Sequence, residues 1–134
     1  MAKNSKEIIE KIKKLHRKSK KFSISRESDN KFYFDGTYYS PDLVLRNKET
    51  GRVEIIIEVE QGTRKHVVGG VITADYCMGK IGEKPLMIIV ALHKQDRKDY
   101  AKREKLFSAY IKNLTDVIIW TEKEFIEELK GYKL

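Results

Sequence analysis

The sequence predicts an α/β domain built on a mixed sheet flanked by helices, and three observations predict it. Residues 43–60 read as strand, turn and strand; residues 86–92 form an apolar run suited to a strand buried on both faces; helical periodicities lie between and beside these segments. A length of 134 residues suits one domain, 1–134, with a continuous core, and neither an internal repeat nor a low-complexity linker interrupts it. The single cysteine, Cys77, excludes an intrachain disulfide and a four-cysteine zinc site, and it points to a reducing, cytoplasmic setting. No apolar stretch approaches the ~18 residues of a membrane span, and the first residues lack the apolar core of a signal peptide. Neither a membrane protein nor a secreted one is expected.

Ile8, Ile9, Ile12 and Leu15 recur at helical spacing, so residues 5–19 read as an amphipathic helix with a lysine-coated outer face. Phe22 and Ile24 begin a first strand that alternates through Arg26. Residues 28–30 form a turn, and residues 31–35 form a second, aromatic strand ending at Gly36. In the hairpin that follows, Gly51 occupies the position where a three-residue loop of Glu49, Thr50 and Gly51 wants a positive φ. Residues 64–78 read as a helix with Val67, Val68, Val71, Ala74, Tyr76 and Cys77 inward, and the Gly69-Gly70 pair is expected to let it approach the sheet closely. Residues 96–113 read as one charged helix with Tyr100, Leu106, Phe107, Tyr110 and Ile111 inward, and residues 117–120 as another buried strand. Thr121 and Glu124 form a capping box that opens a last helix containing Phe125, Ile126 and Leu129. The order αβββαβαβα joins an antiparallel front half to a βαβ-type back half.

The chemistry-bearing residues are Asp42, Glu58 and Glu60. With the loop at residues 49–51, Lys48 pairs with Arg52, Arg46 faces Glu54, and Val44 faces Ile56. One step further, the register sets Asp42 opposite Glu58, with Cβ atoms on the order of 5 Å apart. Glu60 projects from the same face as Glu58, so three carboxylates converge at one end of the hairpin. Like charges facing each other across a buried ladder call for compensation, and a divalent cation supplies it. Mg²⁺ (or Mn²⁺) takes carboxylate oxygens and keeps other positions for water and substrate phosphate. The formal net charge of +8 is concentrated early: between Lys3 and Lys21 only Glu7 and Glu10 oppose a run of lysines and arginines. Such a surface attracts a polyanion. HExxH, CxxC, the Walker phosphate loop and the nucleophile elbow are all missing from the sequence.

Ser40-Pro41-Asp42, a short hairpin, and Ile57-Glu58-Val59-Glu60, preceded by a basic helix, resemble the PD-(D/E)xK nuclease superfamily. That is the fold of many restriction endonucleases and archaeal Holliday-junction resolvases. The resemblance covers roughly residues 5–92, about two thirds of the chain. It implies a restriction endonuclease-like αβββαβ core, to which this chain adds a C-terminal αβα extension, and a metal-dependent endonuclease acting on DNA. It further implies Asp42 and Glu58 as metal ligands. The lysine that ends the family motif is replaced by Glu60, as in a minority of restriction enzymes. Glu60 is then a second metal ligand or a proton acceptor from the attacking water, or Lys65 stands in for the missing lysine. Lys13, Lys14, Arg17, Arg64 and Lys65 are the expected backbone contacts, and Glu7 is a weaker candidate acid from the first helix. A chain this small favours a symmetric homodimer for cutting two strands. The alternative reading is a catalytically inactive nucleic-acid-binding module that retains the nuclease fold.

Overall fold

The computed structural model describes residue 10 and residues 21–24, 30–60 and 64–131, with side chains for all of these except 64–66, 94–96 and 129–131. Of the helix expected over residues 5–19, only Glu10 is described, and it is helical. Seven strands and four helices follow among the described residues: β1 (Phe22–Ile24), β2 (Phe32–Phe34), β3 (Thr37–Tyr39), β4 (Leu43–Asn47), β5 (Val53–Glu60), α1 (Arg64–Ile81), β6 (Leu86–Ala91), α2 (Lys94–Ala101), α3 (Glu104–Tyr110), β7 (Asp116–Thr121) and α4 (Glu122–Gly131). A five-stranded sheet runs in the order β1-β4-β5-β6-β7. The pairs β1–β4 and β4–β5 are antiparallel, whereas β5–β6 and β6–β7 are parallel, so the sheet is mixed as expected. No helix among the described residues is long and apolar enough to cross a membrane.

Strand alternation divides the core between two faces of this sheet. Val44, Ile56, Met87 and Ile89 point toward α1 and pack with Val67, Val71, Ala74 and Met78. Leu43, Leu45, Ile55, Ile57, Ile88 and Val90 point the other way, where Phe125 of α4 joins them. β6 contributes to both faces, which explains why its sequence is an unbroken apolar run. The Thr121–Glu124 capping box forms in full: the Thr121 N–H donates to Glu124 Oε1 at 3.0 Å and the Glu124 N–H donates to Thr121 Oγ1 at 3.2 Å.

Several elements depart from expectation. The aromatic strand leaves the main sheet and pairs instead with β3, through a two-residue turn in which Asp35 (φ 48°) and Gly36 (φ 79°) are both left-handed. An Asp-Gly pair suits such a turn because both central positions need positive φ. In the β4–β5 hairpin Val44 does face Ile56, but Arg46 faces Val53 rather than Glu54. Asn47 closes the loop with Arg52 in place of Lys48, its N–H donating to Arg52 O at 2.9 Å. The Asn47 side chain determines this: Oδ1 accepts the N–H groups of Glu49 (2.8 Å) and Thr50 (3.1 Å), wrapping the loop one residue wider. A bulge between Leu45 and Arg46 then restores the register toward the acids. Gly51 does take a positive φ, 72°.

The charged helix of residues 96–113 is two short helices, joined by a tight turn in which the Arg103 N–H donates to Tyr100 O at 2.9 Å. That turn re-aims the second helix so that Phe107 is buried while Leu106 and Tyr110 stay exposed. Tyr76 also faces outward, packing on Phe34 with ring centroids 5.8 Å apart and donating its hydroxyl to Asp35. Ile72, Tyr76, Leu106 and Tyr110 line an open apolar groove of about 470 Å³ between α1 and α3. The close approach to the sheet expected at Gly69-Gly70 is not seen, and the tight glycine of α1 is Gly79, against the segment before β7. A Cβ on Gly69 or Gly70 would meet nothing within 4 Å, but one on Gly79 would collide with the Asn113 side-chain amide.

Candidate active site

The ladder between β4 and β5 ends at Leu43 and Ile57, and two side-chain bonds extend it by one step. The Asp42 N–H donates to Glu58 Oε1 at 2.9 Å, and the Val59 N–H donates to Asp42 Oδ2 at 2.8 Å. Each carboxylate thus serves as the backbone partner of the opposite strand, which holds Asp42 and Glu58 face to face as the register predicts. Alternation sets Glu58 and Glu60 on the side of Ile56, and hence of α1.

Two residues beyond the expected set shape this corner. Asn30 is fully buried, and its Nδ2 donates to Pro41 O at 3.1 Å and Asp42 O at 3.3 Å, fixing the turn into β4. Tyr39, paired with Phe32 across the small hairpin, is 7% exposed, and its hydroxyl has no hydrogen-bond partner among the described residues. Burial pushes that hydroxyl up, and the charges of Glu58, Asp42, Cys77 and Glu60 add to the effect, so it stays a protonated donor. The signal for Tyr39 lay in the sequence: an Asp35-Gly36 turn pairs Phe32 with Tyr39 and turns both to the same side. Asn30 gave none, because its role is a contact between segments distant in sequence.

Glu58 is strongly perturbed. Burial first, then the charge of Asp42 and more weakly that of Glu60, push its carboxyl up to about 8, while the hydrogen bond from the Asp42 N–H opposes them. Glu60 therefore shares the electrostatic site. Among the described residues, however, no group of three or more His, Cys, Asp and Glu side chains is arranged to hold a metal ion. The Asp42–Glu58 pair remains as a donor set of two hard carboxylates, the number by which Mg²⁺ is commonly held. Glu7, Lys13, Lys14 and Arg17 lie outside the described residues, as does Gln61. Arg64, Lys65 and His66 open α1, which starts after β5 and has no acid in its first turn; their side chains lie outside the described set.

Comparison with family models, with curated proteins and with solved structures finds no match. The fold is a mixed sheet flanked by helices, an architecture shared by many α/β proteins, and the functional reading rests on this corner of it.

Proposed function

We propose that the chain is a metal-dependent endonuclease that hydrolyses phosphodiester bonds of DNA, with Asp42 and Glu58 as ligands of Mg²⁺ or Mn²⁺. The observation that carries this reading is the reciprocally bonded acid pair, in which burial and like charge press Glu58 toward its protonated form. Two facing carboxylates each make the other's charge more costly, and their hard oxygens suit a divalent cation. When bound, the metal polarises the phosphodiester and lowers the pKa of the attacking water. Around it, Asp42 and Glu58 fix the position of charge, and Glu60, half-buried at the end of β5, accepts a proton from water. The net charge of +8 supplies sequence-independent attraction to the phosphate backbone, with Lys13, Lys14, Arg17, Arg64 and Lys65 as its proposed contacts. Cutting both strands would take two copies related by a two-fold axis.

One observation favours a second reading, an inactive nucleic-acid-binding module of the same fold: Glu60 stands where the family motif has lysine. Wild type and Asp42→Asn, incubated with labelled single-stranded, duplex, flap and four-way-junction DNA in Mg²⁺, Mn²⁺ or EDTA, separate the two. The nuclease reading expects metal-dependent cutting by wild type and a loss of more than about 100-fold in the variant, beyond the effect typical of an outer-shell change. Equal binding by both proteins with no cutting by either supports the binding module instead.

A further inference from the structure

The β2–β3 hairpin presents its two faces to different surroundings. Phe32 and Tyr39, directly paired, are buried, whereas Tyr33 and Tyr38, the next pair along, are 69% and 51% exposed. The two exposed rings have centroids 5.9 Å apart with planes inclined at 56°, and Lys31 Nζ lies 5.0 Å from the centre of the Tyr38 ring. A cross-strand aromatic pair supports so short a hairpin, but an aliphatic pair would serve that purpose. Two solvent-facing aromatic rings beside a lysine also have what a stacked base and its phosphate require. Charge selects the occupant: a net +8 attracts a polyanion. Tyr38 precedes Asp42 by four residues, which the backbone spans in no more than ~14 Å. Asn30 holds the carbonyl of the intervening Pro41.

We infer that Tyr33 and Tyr38, with Lys31, form a stacking platform for unpaired bases. The substrate is then DNA with single-stranded nucleotides beside the acid pair, in a flap, loop or branch, rather than uninterrupted duplex. In a duplex, both faces of each interior base are covered by its neighbours, so only an unstacked base can lie on the tyrosines. The choice of DNA as ligand rests on the nuclease reading above.

The test is binding in EDTA, where no cutting intervenes, to a mixed-sequence single-stranded oligodeoxynucleotide carrying 2-aminopurine and to the same sequence as duplex. Wild type should bind the single strand with quenching of the 2-aminopurine. The double variant Tyr33→Leu/Tyr38→Leu keeps an apolar cross-strand pair, yet it should bind the single strand roughly ten-fold or more weakly, without the quenching. Tyr33→Phe/Tyr38→Phe should retain both properties, and duplex binding should be the same in all three. A leucine variant that binds and quenches like wild type overturns the platform, as does a wild type that prefers duplex or binds no single strand. The nuclease reading fails separately, through cutting that survives Asp42→Asn.

Discussion

At Glu58 the sequence, the register and the electrostatics meet in one side chain whose protonation the fold itself biases. With its pKa raised from an ordinary 4.5 to about 8, the fold's preference for protonated Glu58 is fully present below about pH 4.5 and is lost as pH rises through about 8. Stability should therefore decline across that window, by on the order of a few kcal/mol, and level off above it. Glu58→Gln, whose amide oxygen still accepts the Asp42 N–H, should remove the decline; melting curves of both proteins between about pH 5 and 9 check this, and parallel curves would contradict it. A cation that binds the deprotonated pair must displace the same proton. Mg²⁺ should thus raise the Tm of wild type more at about pH 8.5 than at about pH 6, and chelation should reverse the gain. Asn30→Ala should lower stability by about 1–3 kcal/mol, since it strips the buried carbonyls of Pro41 and Asp42 of a donor; denaturant unfolding measures it.

Among the elements, α1 carries glycines of opposite meaning. Gly69 and Gly70 are helical with open space around them, so Gly70→Ala should stabilise by about 0.5–1 kcal/mol through helix propensity. Gly79 lies against Asn113, whose Nδ2 donates to Asp75 O at 3.0 Å, so Gly79→Ala must displace that side chain and should cost about 1–3 kcal/mol. The same chemical change with opposite signs nine residues apart is read directly by thermal unfolding of the two variants. Asp75 explains why this contact is maintained: its Oδ1 accepts the N–H groups of Lys112, Asn113 and Leu114, pinning the segment that leads into β7 against α1. The sequence did not mark the contact at Gly79, because it is defined by a neighbour more than thirty residues away.

Across the whole molecule, what was legible depended on how local its cause is. Period-two alternation and a run buried on both faces placed β4, β5 and β6, and with them the facing of Asp42 and Glu58. The loop is one residue wider than its glycine suggested, and the bulge at Leu45–Arg46 cancels the difference, so the register near the acids came out as expected although the pairs nearest the turn did not. The contact made by Asn30 and the outward turn of Leu106 and Tyr110 depend on tertiary choices that no single segment encodes. Association with DNA belongs to this scale as well: a chain of net charge +8 should lose affinity steeply between about 50 and 200 mM salt, and a binding titration that is flat over that range would count against a phosphate-contacting surface. The acid pair also has a kinetic consequence, because it lies at the end of the β4–β5 hairpin farthest from the turn. A hairpin that closes from its turn outward brings Asp42 and Glu58 together last, after the barrier has been crossed. Repulsion between them then acts on the rate at which the strand ends reopen. Relieving it with Glu58→Gln at about pH 8.5 should slow unfolding and leave the folding rate nearly unchanged, a difference confined to one arm of the chevron.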